Sequence, residues 1–287
     1  MNRDIISIIE QNRSSYSKGQ LRIAQFIIEN SEKAAFMTAS KLGQKAGVSE
    51  STVVRFAAEL GYEGYPELRR ALQEMIRNRL TSLQRIEVSK SIMGNKDTLS
   101  AILNADMEKI MLTLNTVDRK QFDRAVETIL TAKSIYILGI RTSSALSRFM
   151  SYYLSLLFDN VKPLYENSTS EVFEQILRIQ KEDVLIGISF PRYSKRTVTT
   201  VRYAKDRGAS VIAITDSENS PIAKLADSRL IAKSDMVSFV DSLVAPLSLI
   251  NALIVAVGNQ CQEKLSDTFG ELERVWEAYD VYDKSED

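Results

Sequence analysis

Two stretches of the chain place hydroxyl and guanidinium groups where an apolar run gives way to a helical pattern. Arg141, Thr142, Ser143 and Ser144 follow SIYILGI, and Ser189, Arg192, Tyr193, Ser194 and Thr197 follow DVLIGI. A third junction, TDSENSP from Thr215 to Pro221, follows SVIAI. If the apolar runs are strands, these groups stand at the ends of a sheet, over helix amino termini whose free N–H groups and dipole favour anions. Anion binding is therefore the chemistry to expect. Helix capping accounts for one hydroxyl per junction. It does not account for three hydroxyls and an arginine at the first.

Other chemistries are restricted by composition. The 287 residues include no histidine and one cysteine, Cys261. No imidazole is available as acid, base or metal ligand, and one thiol makes neither a disulfide nor a zinc site with the usual N and S ligands. Neither metal nor cofactor is expected. Glu166, Glu171 and Glu174 are the carboxylates near the second strand's end, and a solvated helix surface explains them as well as acid or base work does. No apolar segment with a basic flank marks a leader, so a cytoplasmic protein is expected. The most apolar stretch, Leu243 to Gly258, is shorter than the roughly 20 residues of a membrane span and reads as a buried helix, so no membrane partner is expected.

The elements that must position these groups can be read from hydropathy. SIYILGI, VKPLY, DVLIGIS, SVIAITD and SRLIAKS alternate with amphipathic stretches. Continuous apolar runs suit parallel strands covered on both faces, which gives an α/β domain with a five-stranded parallel doubly wound sheet. The first 80 residues instead read as closely spaced helices, an all-α domain. The domain bounds that follow are 1–79 for the helical domain, 80–106 for a polar linker and 107–287 for the α/β domain with its C-terminal helix. Residues 1–79 hold 12 Lys or Arg and 9 Asp or Glu, a mildly basic front. Past Cys261, Leu265, Phe269, Leu272, Trp276 and Tyr279 recur at helical spacing, as in an amphipathic helix that docks one apolar face.

Within the front domain, ASKLGQKAGVSESTVVRFAAELG (Ala39 to Gly61) has helix-turn-helix spacing. Gly47 can take the positive φ of a tight turn, Ser49 can cap the second helix, and Val53, Phe56 and Leu60 make its buried stripe. Ser49, Glu50, Ser51, Thr52 and Arg55 are the candidate DNA contacts, Arg55 to a guanine or the backbone. A helical hairpin that merely packs is the plainer alternative. Gly43 reads as a blemish in the first helix, since a mid-helix glycine costs about 1 kcal/mol.

GVSESTVVRFAAELGYEGYPELRRAL resembles the amino-terminal domain of the RpiR/MurR family of bacterial transcription regulators, and the back domain resembles its usual partner, the sugar-isomerase (SIS) domain. The resemblance implies a DNA-binding regulator of carbohydrate genes acting on a double-stranded operator, repression as the sign, a homo-oligomer (dimer or tetramer), and a phosphosugar or other anionic sugar as effector. The same domain also implies an alternative, a phosphosugar isomerase, which usually needs a histidine that this chain lacks. The family's second loop typically reads Ser-x-Ser-Gly-x-Thr. Here Ser189 keeps the first serine, Pro191 and Arg192 replace the second serine and the glycine, and Ser194 replaces the threonine. The first loop has Arg141 and Thr142 where a Gly-x-Ser turn is common. Both departures add arginine, which suits a ligand of greater negative charge or different shape, a phosphate held differently or a carboxylate. Tyr193 either meets a sugar ring or covers the pocket mouth.

Overall fold

The structure, a computed structural model, describes residues 5–76, 81–94, 97–165, 169–234 and 240–282. Two compact units divide the chain: Met1–Ala105 with Asp235–Asp241, and Asp106–Ser234 with Ser242–Asp287.

The first unit opens with α1 (Ile5–Gln11), α2 (Lys18–Glu29), α3 (Ser31–Ala34), α4 (Ala39–Ala46), α5 (Glu50–Glu59) and α6 (Tyr65–Ile76). Three of these helices begin where a hydroxyl can take up a free N–H. Ser17 accepts from the Gln20 amide while the Gln20 side chain accepts from Ser17 N–H, a reciprocal capping box. Thr38 accepts from Lys41 N–H and Ser49 from Thr52 N–H. The apolar faces then close over Ile23, Ile27, Leu42, Val53, Phe56, Leu68 and Leu72, all fully buried. Tyr16 packs edge-on against Phe56, ring centroids 5.2 Å apart.

Gly43 is no blemish. A Cβ there would lie 2.8 Å from the Val48 carbonyl oxygen and 3.3 Å from the Ser49 carbonyl carbon. The turn crosses directly over α4, and only a residue without a side chain lets it do so.

The segment read as a polar linker carries α7 (Ser82–Met93) and the start of α8 (Thr98–Thr116). Thr81 and Gln84 form a second capping box, the start signal that weak periodicity hides. Arg85 on α7 is buried within the first unit and pairs with Asp241 at 2.7 Å.

The second unit continues with α9 (Arg119–Thr131), β1 (Ile135–Gly139), α10 (Ser143–Ser155), β2 (Val161–Leu164), α11 (Thr169–Ile176), β3 (Val184–Ile188), α12 (Lys195–Asp206), β4 (Ser210–Thr215), β5 (Ser228–Ile231), α13 (Val244–Gln260) and α14 (Gln262–Ala278). The five strands pair in parallel in the order β2-β1-β3-β4-β5. Every residue of β1 and β3 is buried, as the unbroken apolar runs require of strands covered on both faces. Ile135 and Ile137 face a core shared with α9, α10 and α13, whereas Tyr136 and Leu138 face one shared with α11 and α12. This is the doubly wound α/β arrangement expected, with a helical domain before it.

Helix α14 departs from expectation. It turns by 100° from α13, and none of its residues is buried. Of the amphipathic stripe, Leu265 packs on the core, Leu272 and Trp276 are half-buried, and Phe269 and Tyr279 are exposed. Among the described residues no single helix is long and apolar enough to cross a membrane.

Candidate functional site

The tips of β1 and β3 lie side by side, Gly139 opposite Ile188. The order of the sheet reverses between these strands, and open α/β sheets take ligands at that point. Two glycines bring helices hard against the strands. A Cβ on Gly139 would sit 2.3 Å from the Ser143 carbonyl oxygen, and one on Gly187 would sit 2.9 Å from Cγ2 of Val201. The first turn of α10 therefore rests on β1, and α12 rests on β3.

Both turns hold an arginine in the left-handed region, Arg141 at φ 58° and Arg192 at φ 29°. For a residue with a Cβ this costs about 1–2 kcal/mol, and glycine is the residue that avoids it. Both places where arginine stands in for the commoner glycine turn are strained in this way.

The remaining candidates divide. Arg141 and Ser144 line a cavity of about 280 Å³ together with Gly139, Ile140, Ser147, Arg148, Pro163, Leu164 and Tyr165, between the ends of β1 and β2. Thr142 is exposed at the start of α10 and makes no side-chain cap, and Ser143 is buried under it. The second turn does not line this cavity. Ser189 is buried and its N–H donates to the Ile214 carbonyl, extending the β3–β4 pairing by a residue. Ser194 caps α12, its Oγ accepting from Thr197 N–H, so its hydroxyl has the plain capping role. Thr197 is fully buried, and its Oγ1 has no hydrogen-bond partner. Tyr193 donates its hydroxyl to Asp216 Oδ1 at 2.8 Å, tying the turn after β3 to the turn after β4. Arg192, Lys195 and Arg196 gather at the positive end of α12, whose first turn contains no acidic residue. Cations at that end oppose the helix dipole, an arrangement that a bound anion relieves.

Ser147, Arg148 and Tyr165 are absent from the sequence-level candidates. The signal was available for two of them: Ser147 and Arg148 stand three and four residues beyond Ser144 on one helix, hence on one face. Tyr165 reaches the cavity through the β2–β1 pairing, which local sequence does not reveal. Glu166 lies outside the described residues. Glu171 is half-buried and Glu174 exposed on α11. Among the described residues no group of three or more His, Cys, Asp or Glu side chains could hold a metal.

In the first unit, Gly47 adopts φ 69° at the end of α4, and its carbonyl accepts from Arg22 at 3.3 Å, a contact to the turn that motif reading overlooks. Glu50, Ser51, Val54 and Arg55 form the exposed face of α5. Thr52 is half-buried, its methyl 3.4 Å from where a Cβ on Gly19 would be, so it belongs to the edge of that face. Ser49 Oγ lies 2.9 Å from Ser51 Oγ and 2.8 Å from Thr52 Oγ1, and Arg55 Nε–H donates to the Ser51 carbonyl at 3.3 Å. The hydroxyls are thus clustered at the amino terminus of α5, where phosphate contacts form readily.

Residues 3–79 match the helix-turn-helix domain of the rpiR family, and residues 128–256 match the SIS domain. The fold and these matches define a helix-turn-helix protein with an SIS domain behind it. The chain belongs to the RpiR family. An uncharacterised HTH-type transcriptional regulator of Caldanaerobacter subterraneus subsp. tengcongensis is 25% identical over 284 residues, 96% of this chain and 96% of the relative. The sugar isomerase domain of an RpiR transcription factor from Sphaerobacter thermophilus is 27% identical with a TM-score of 0.59, covering 62% of this chain and 98% of that one. The NanR protein of Vibrio vulnificus, solved in complex with ManNAc-6P, has the same fold at 24% identity and a TM-score of 0.59, over 96% of this chain and 99% of its own.

Proposed function

We propose that this protein is a DNA-binding transcription regulator that reads an operator with α5 and responds to a phosphosugar or related anionic sugar held at the tips of β1 and β3. The observation that carries this reading is the cationic, hydroxyl-bearing pair of strand tips in the same chain as a capped helix-turn-helix. The NanR protein of Vibrio vulnificus, which shares this fold and was solved in complex with ManNAc-6P, supports it. Glu50, Ser51 and Arg55 are the proposed DNA contacts, with Ser49 and Thr52 holding the helix start. Arg141, Ser144, Arg192 and Thr197 are the proposed ligand contacts. A homo-oligomer presents paired α5 helices to half-sites about 34 Å apart, and ligand preference for one arrangement changes operator affinity. Repression is the sign that the family resemblance supports.

The isomerase reading rests on the shared SIS fold alone. Aldose–ketose exchange needs a base beside C1–C2, and the chain has no histidine to supply one. The test is a footprint of the purified protein on the DNA flanking its own gene, with and without a panel of sugar phosphates. A protected palindrome whose occupancy changes with one of them is expected. Uniform, non-specific protection with no palindrome defeats the regulator reading.

A further inference from the structure

Arg22, on α2, holds the turn that leads into α5. Its Nη1–H donates to the Gly47 carbonyl at 3.3 Å, at the carboxyl end of α4, where the helix dipole favours a cation. Close packing brings α2 to that place. A Cβ on Gly19 would lie 3.4 Å from Thr52 Cγ2 and 3.6 Å from Val48 Cγ1, so the first turn of α2 rests against the turn and against the start of α5. Lys18 stands one helical turn before Arg22 and on the same face of α2. Both residues are exposed, and the first turn of α2 has no acidic residue. No carboxylate among the described residues forms an ion pair with either. A guanidinium has several N–H donors in a rigid planar fork, and the bond to Gly47 engages only part of it.

We propose that Lys18 and Arg22 grip backbone phosphates at the rim of the groove that α5 enters, and that Arg22, bound to the Gly47 carbonyl at the same time, fixes the angle of that entry. The proposal rests on the regulator reading above and deepens it: α2 joins α5 in the DNA interface, with Arg22 as a positioning residue. Phosphate contacts carry no sequence information themselves, but they set the register and orientation in which base contacts are made. An arginine tied to the turn cannot follow α5 toward base edges, and the phosphates at the groove's rim are the anions within its reach. Lys18, a point charge on a flexible stem, can neutralise a phosphate and no more. The arginine fork can offer one edge to the carbonyl and the other to a phosphate. The plainer alternative, a surface arginine that only caps α4, predicts an effect on stability and none on the salt dependence of binding.

The experiment is fluorescence anisotropy of the full chain on two labelled duplexes of equal length, one carrying the palindrome protected in the footprint and one of random sequence, over a series of salt concentrations. Lys18→Gln should reduce the magnitude of the slope of log affinity against log salt by about 0.9 on both duplexes, the release of one phosphate's counterions. It should leave the affinity ratio between the duplexes within about 2-fold of the parent's, because a phosphate contact reads no sequence. Arg22→Gln should reduce the slope by about the same 0.9 and also cut the ratio by roughly 10-fold, the discrimination of about one well-placed base contact. Arg22→Lys, which keeps the charge and loses the fork, should return the slope and not the ratio. Should Arg22→Gln fail to fold, Lys18→Gln and Arg22→Lys decide. Unchanged slopes in the glutamine variants overturn the proposal, as does a loss of affinity in Arg22→Gln at constant slope, the signature of a cap on α4 alone. A ratio fully restored by Arg22→Lys overturns the positioning role. A parent chain with no preference for any palindrome defeats the regulator reading itself, a result distinct from all of these.

Discussion

Arg85 and Asp241 stand 156 residues apart in the chain and meet at 2.7 Å within the first unit. The guanidinium is buried while the carboxylate keeps some contact with water, so removing Asp241 strands a charge in the interior. Breaking a buried pair costs about 3–5 kcal/mol, and partial exposure lowers that figure. Asp241→Ala should reduce the unfolding free energy of this unit by about 2 kcal/mol in urea titration. Adding Arg85→Met should restore most of it, because the stranded charge is then gone. A single variant as stable as the parent would show that the pair contributes nothing.

Gly43→Ala tests the turn over α4. In an unconstrained helix the exchange gains about 1 kcal/mol. Here the new methyl meets the Val48 carbonyl, a backbone atom that cannot swing aside, and a loss of about 1–3 kcal/mol is expected by thermal melting. Gly270→Ala on α14, where nothing lies within 4 Å, is the control and should have the opposite sign.

Tyr65 gives the first unit an alkaline limit. Burial pushes its phenol up to about 12 from an ordinary 10.0, and its hydroxyl donates to the Met37 carbonyl at 2.9 Å. A raised acid is stabilised in its protonated form, so its contribution is complete below pH 10 and is lost as pH rises toward 12. On the order of 2 kcal/mol should disappear across that window. Tyr65→Phe should flatten the dependence in denaturation titrations at pH 9 to 12.

Arg55→Ala should weaken binding to a specific operator by about 1–3 kcal/mol. Folding should be unaffected, because the side chain is exposed and donates only to its own helix. The informative readout is a gel-shift series at several salt concentrations. If Arg55 contacts a base, discrimination between operator and random DNA falls. If it contacts a phosphate, both weaken and the salt slope drops by about one.

Arg192→Gly separates strain from charge. Relief of the left-handed backbone should raise stability by about 1 kcal/mol, while loss of a cation at the start of α12 should weaken sugar-phosphate binding. A variant that melts lower, or binds as tightly as the parent, contradicts the account of this turn.

Sequence made the sheet legible because β1, β3 and β4 are buried on both faces and therefore apolar without interruption. The helix starts at Ser17, Thr38 and Ser49 were legible because each cap is a local bond between residues three apart. What local pattern could not reveal depends on distant approach. Gly43 looked costly until Val48 was seen to cross it. Tyr193 is tied by its hydroxyl to Asp216, in the turn after β4, a contact that no local pattern reveals. Arg148 shares a helix face with Ser144, a spacing visible in the sequence, but the cavity that gives it meaning is not. Residues 80–106 read as a polar linker because α7 has little one-sided apolar character, although its Thr81–Gln84 capping box was present in the sequence.

The missing side chains of Gly139 and Gly187 have a mechanical consequence. With Ser143 laid on one strand and Val201 on the other, no soft layer separates strand from helix beneath the tips. A pull on α10 or α12 is then transmitted as a lever, carrying the strand with it and dissipating little in the turn. Strand and helix at this end of the sheet are thus coupled by direct contact, with no side chain of either glycine between them.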